Sequence, residues 1–287
     1  MFDKFINGLN ISYPNIEQQF DCGVEKYLFD LIISSNDIYA DIKYISLYNR
    51  SMNLTSSTLY QKGLVFMDTT LNFFLLSFLC TTFSLSHDKS IENINRCIKS
   101  CFTSLDLVGI NREIGTYNTK ETTKMIALPS NVLNLIGDAY WAIWTFLIGH
   151  ELYHIVHNES DNSKQDEFYA DAYGYKILID LIIQQSTAKT KDTICPFHQY
   201  MYLSPIMLLE CLNFLDFYKE LCGNMPTYTN HPTPSERINA LFELYETHIP
   251  DEFDTYEGNI ALNHFLESVD FLKNQIAIKK KLGKLNI

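Results

Sequence analysis

The hydrophobic positions change period part-way along the chain. Between residues 40 and 68 the runs DIKYISLYN and TLYQKGLVFMD carry aromatic and β-branched residues in partial alternation, separated by the polar stretch NRSMNLTSS. Alternation at a period of two predicts strands, and two such runs around a polar connection predict a β-hairpin. From residue 70 onward helical signals dominate, predicting helices over 70–85, 90–105, 131–158, 165–184, 204–221, 234–247 and 256–282. Thr233, Pro234 and Glu236 supply an N-cap, a first-turn proline and a capping-box partner, so a helix begins there. No internal repeat and no Gly/Ser- or Pro-rich linker divides the chain. Residues 1–287 are therefore read as one domain of the α+β class, predominantly helical, with a small N-terminal β-hairpin or sheet.

Two of the helical stretches have no broad polar face. TLNFFLLSFLCTTFSL, residues 70–85, approaches the lower length for a membrane span, but it contains Asn72 and several hydroxyls and follows Asp68. A buried core helix suits it better, and no membrane association is expected. DAYWAIWTFLIGHELYHIVH, residues 138–157, is apolar nearly all the way round. Such a helix is buried. His150, Glu151 and His154 lie within it, and ionisable groups are seldom buried unless paired or bound to a metal.

Residues i and i+4 share a helix face, so His150 and His154 can both aim an imidazole nitrogen at one ion. Glu151, turned by about 100 degrees, can reach a metal-bound water without being a ligand. A zinc hydrolase needs a third protein ligand and an open position. In QDEFYADAYGYK, Glu167 and Asp171 are again i and i+4, while Ala170 and Gly174 on the same face let this helix approach the first closely. Glu167 is assigned as third ligand, and Asp171 as acceptor for the far N–H of His150 or His154. Asp171 is itself the alternative ligand, with Glu167 in support. His157 is a further rival, but no Gly and no third His follow as that pattern requires, so it reads as a helix-end residue on the last carbonyls. Glu159 and Asp161 belong to a solvated connection, NESDNSKQD.

Downstream, TNHPTPSERI places His231 in the loop before the helix that begins at Pro234. There it can donate a hydrogen bond to the oxyanion of a tetrahedral intermediate, or simply decorate the surface. Arg237, one turn further on, reads as a clamp on a carboxylate such as Asp171.

Charge narrows the partners. With 22 Lys and Arg against 34 Asp and Glu, the net charge is -12 and the pI about 5.1. A nucleic acid is excluded as main partner, because phosphate binding needs a basic face. Seven cysteines without a Cys-x-x-Cys pair read as reduced thiols, and the N-terminus lacks the pattern of a signal peptide, so a cytoplasmic location is expected. The lysines of KNQIAIKKKLGKLNI are read as a solvated helix end, or as a docking patch for an acidic partner.

The combination of HELYH, EFYAD and HPTPSERI resembles the gluzincin peptidases, and most closely the Lit-type phage-exclusion peptidases of bacteria; the resemblance covers residues 138–240. It implies a zincin-like core and a cytoplasmic Zn2+ endopeptidase with His150, His154 and Glu167 as ligands and Glu151 as general base. It also implies an active-site role for His231, a protein substrate of the translation elongation factor kind cut in phage exclusion, and an activating peptide or protein. Two other classes stand beside this one: a regulatory protease of the antirepressor kind, and a non-catalytic interaction module that keeps a zinc. The intact glutamate of H-E-x-x-H argues against the module, since structural zinc sites close all four positions with Cys and His.

Overall fold

The computed structural model describes residues 24–34, 37–39, 41–47, 57–59, 64–68, 70–105, 128–157, 163–187, 199–223, 225–229, 231–250, 253 and 255–284, and these are predominantly helical. The α-helices among them are α1 (Val24–Ile33), α2 (Thr70–His87), α3 (Ile91–Leu105), α4 (Ser130–His157), α5 (Lys164–Thr187), α6 (Ser204–Leu221), α7 (Pro234–His248) and α8 (Thr255–Lys281). Three short strands, β1 (Lys43–Leu47), β2 (Ser57–Leu59) and β3 (Leu64–Asp68), form a sheet of order β1-β3-β2.

The two alternating runs do not meet as one antiparallel hairpin. β1 lies parallel to β3, with Lys43 opposite Leu64 and Leu47 opposite Asp68. The second run is divided instead: β2 pairs antiparallel with β3, Ser57 facing Phe66. The polar, glycine-containing Gln61-Lys62-Gly63 separates them in sequence, a break that the flanking alternation obscures. Helix α1 was not among the predicted elements. It buries Leu28, Phe29 and Ile32 and sets Tyr27 edge-on against Trp141 of α4, with ring centroids 5.8 Å apart.

The core lies where α2, α6 and α8 meet. Phe78 of α2 stands 5.1 Å from Phe214 of α6 and 6.1 Å from Phe265 of α8, centroid to centroid, and all three are fully buried. Edge-on and tilted contacts of this kind suit the ring quadrupole. Among the described residues one helix, α4, is long and apolar enough to cross a membrane by length and composition. Its apolar surface is covered by α1, α2, α5 and α6, which accounts for the absence of a polar face.

Helices α4 and α5 pack backbone to backbone at two glycines. A Cβ added to Gly174 would lie 2.5 Å from the Phe146 carbonyl oxygen and 2.8 Å from the His150 backbone nitrogen; one added to Gly149 would lie 2.8 Å from the Gly174 Cα. These neighbours are backbone, so no rotamer change relieves the clash. Alanine in place of a helical glycine gains about 1 kcal/mol in intrinsic propensity, while overpacking costs about 1–3 kcal/mol and here strikes two backbone atoms at once. Gly174→Ala is therefore expected to lower the melting temperature despite the better helix former. Chemical denaturation against wild type checks the sign; a gain in stability would mean the helices have room to part freely.

At the far end, lysines that the sequence left open to docking are used internally. Lys279 donates to Asn95 Oδ1 of α3 at 2.6 Å, and Lys280 donates to the Leu221 carbonyl that ends α6. A cation on the last carbonyl of a helix complements its dipole.

Candidate metal centre

The site forms at the glycine-lined crossing. His150, Glu151 and His154 leave α4 within about one turn, and all three are buried. His150 Nε2 and His154 Nε2 stand 3.4 Å apart. From α5, Glu167 Oε2 lies 3.5 Å from His150 Nε2, and Oε1 lies 3.8 Å from His154 Nε2. These three residues form a buried group whose ligand atoms all lie within 4.8 Å of one another and could hold a metal ion.

Asp171 stands behind the first histidine. Its Oδ1 is 2.9 Å from His150 Nδ1. An ionised carboxylate can only accept, so Nδ1 carries the proton and Nε2 turns its lone pair toward His154 and Glu167. Arg237, from the first turns of α7, grips the same carboxylate with two donors: Nε to Oδ2 at 2.7 Å and Nη2 to Oδ1 at 2.5 Å. The clamp on Asp171 is thus in place, and of Glu167 and Asp171 it is Glu167 that faces the imidazole pair.

The charges settle accordingly. Burial pushes the Asp171 carboxyl up, but the Arg237 charge and the hydrogen bonds from His150 and Arg237 outweigh it and hold it at about 2. Burial disfavours protonation of His150, yet the hydrogen bond and charge of Asp171 raise its pKa overall. His154 has no such compensation: burial, reinforced by repulsion from His150, lowers it to about 4. It is neutral at pH 7, the form in which imidazole binds metals.

The remaining candidates fall outside this group. His157 stacks on Tyr153 at 4.2 Å, and its Nδ1–H donates to the Tyr153 carbonyl at 3.0 Å, so it serves the helix end. Glu159 and Asp161 lie outside the described residues. The imidazole of His231 is more than half exposed, and its Nδ1 lies 3.0 Å from Glu167 Oε1.

Three supporting residues escape a reading of the sequence. Gly149, next to the first histidine, faces Gly174; its signal was a glycine in the middle of an otherwise apolar helix. Lys164 reaches from the start of α5 to Glu236 in the first turn of α7, 3.3 Å away. Tyr228 donates its hydroxyl to Asp216 of α6 and so ties the stretch leading to His231 onto that helix. Neither Lys164 nor Tyr228 carries a local signal, because each partner is far away in sequence.

No protein-family model, no curated protein and no solved structure matches this chain.

Proposed function

We propose that the protein is a zinc-dependent endopeptidase with His150, His154 and Glu167 as metal ligands and Glu151 as general base. One observation carries the reading. A tetrahedral zinc ion with bonds of 2.0–2.2 Å requires its ligand atoms to stand about 3.3–3.6 Å apart. The two imidazole nitrogens are 3.4 Å apart and the first lies 3.5 Å from Glu167 Oε2, both within that span; the carboxylate oxygen nearest the second nitrogen is 3.8 Å away, so a small shift of the Glu167 side chain completes the set, and the three ligand atoms lie within 4.8 Å of one another. Two imidazoles and one carboxylate leave a coordination position open, as hydrolytic zinc sites do and structural ones do not.

Zinc held there would supply a Lewis acid that lowers the pKa of water toward 7 and polarises a carbonyl. The chain's own residues do the rest. Asp171 keeps the His150 proton on Nδ1, so the other nitrogen stays free for the ion. Neutral His154 offers its lone pair without first losing a proton. Glu151, one position along α4 from His150, takes the proton from the attacking water and delivers it to the leaving amine. The resemblance of HELYH, EFYAD and HPTPSERI to Lit-type peptidases directs the search for a substrate to cytoplasmic proteins, beginning with translation elongation factors and a role in phage exclusion.

Purified protein is expected to carry about one zinc per chain, because the site has three ligands, and to cut a protein substrate in a way that a chelator abolishes and zinc restores. Elemental analysis after zinc reconstitution decides the first half. Persistent sub-stoichiometric metal would sink the metal reading; a full complement of zinc without cleavage of any native or denatured substrate would leave the interaction-module reading in its place.

A further inference from the structure

The segment 231–237 touches α5 at three places, spaced along one face of that helix. Glu236 meets Lys164 at 3.3 Å, His231 meets Glu167 at 3.0 Å, and Arg237 meets Asp171 at 2.5 Å. The helical partners are at i, i+3 and i+7, so a single short segment tracks the face that carries the third ligand. The segment is itself held: a capping box between Thr233 and Glu236 fixes the start of α7, and Tyr228 ties the preceding stretch to Asp216. The middle contact, on Glu167, falls on the group assigned to the metal.

Resting on the zinc reading, we propose that His231 is a positioning residue for the third ligand: its Nδ1, 3.0 Å from Oε1 of Glu167, holds that oxygen and leaves Oε2, the oxygen nearer His150, for the ion. Oε1 is the oxygen that His231 approaches, while Oε2 stands 3.5 Å from His150 Nε2. Nδ1 stands within ion-pair distance of Oε1, and a carboxylate accepts but does not donate, so any proton shared there comes from the imidazole. The contact gives Nδ1 the role of orienting Glu167, which is distinct from stabilising the transition state through Nε2.

Two amides tell them apart. Asparagine places its N–H near the position of Nδ1, and glutamine places its N–H near that of Nε2. Zinc affinity, measured by competition with a chromophoric chelator on wild type, His231→Ala, His231→Asn and His231→Gln, reads the first role without reference to activity. The expected result is a loss of about 10- to 100-fold in affinity for the alanine and glutamine variants, the range for removing a support of a metal ligand, and near wild-type affinity for asparagine. Because the side chain is exposed, all four proteins should fold, and thermal melts of the metal-free forms verify that they do so equally. Equal zinc affinity in all four would overturn the inference and return His231 to the oxyanion or to the surface. A wild type that binds no zinc would overturn the metal reading itself, and this inference with it.

Discussion

Glu151→Gln is expected to abolish peptide hydrolysis while leaving the zinc content and the fold unchanged. The amide matches the carboxylate in size, so the buried site between His150 and His154 keeps its packing. What it cannot do is accept a proton. A positioned general base contributes about 10²- to 10⁴-fold, and in the proposed mechanism the same group both removes the proton from water and delivers it to the amine. A fall of at least about 100-fold in kcat, with KM little changed, is the signature of an interaction made in the transition state. Single-turnover cleavage of a substrate found with the wild type provides the measurement, with metal analysis of the same samples. Glu151→Asp, which retains the carboxylate but withdraws it by one methylene, should fall between the two. Wild-type turnover by the glutamine variant would remove Glu151 from the chemistry and require another base.

The features readable from sequence were those whose cause is local. Leu and aromatic spacing place α6 over 204–221 as observed, and a proline at the first turn with a Thr/Glu capping box sets the start of α7 at Pro234. The three proposed metal ligands were legible for the same reason: His150 and His154 share a face by helical geometry, and the small residues on α5 announced a close crossing. Pairing between distant segments was not legible. Nothing within TLYQKGLVFMD says that its second half will lie parallel to β1, because strand direction depends on how the chain returns. Likewise, His231 is a lone loop histidine in sequence, and only the fold brings its Nδ1 to Glu167. Helix α1 is ten residues long, too short for its periodicity to stand out from a buried strand of similar composition.

Arg237→Ala is expected to destabilise the protein by about 3–5 kcal/mol at neutral pH, the cost of breaking a buried ion pair and leaving one charge behind. Asp171 is almost wholly enclosed, its side chain 1% exposed against 15% for Arg237, so water cannot replace the lost donors without opening the site. Both guanidinium contacts vanish together, and only His150 Nδ1–H remains on the carboxylate. The pH dependence gives the prediction a second, independent reading. The Asp171 carboxyl is held at about 2 in the fold, below its ordinary value of 3.8. A depressed carboxylate adds stability that is complete above the unfolded value and is lost as pH falls through the folded one. The stability gap between wild type and Arg237→Ala should therefore be full at pH 7 and shrink as pH drops from about 4 toward 2. Urea denaturation of both proteins at neutral and acid pH measures it. Adding Asp171→Asn to Arg237→Ala should recover part of the loss, since a buried neutral amide costs less than an unpaired charge. A neutral-pH loss below about 1 kcal/mol, with no narrowing in acid, would class the pair with exposed ion pairs and strip it of any part in holding α7 against the helix that carries Glu167.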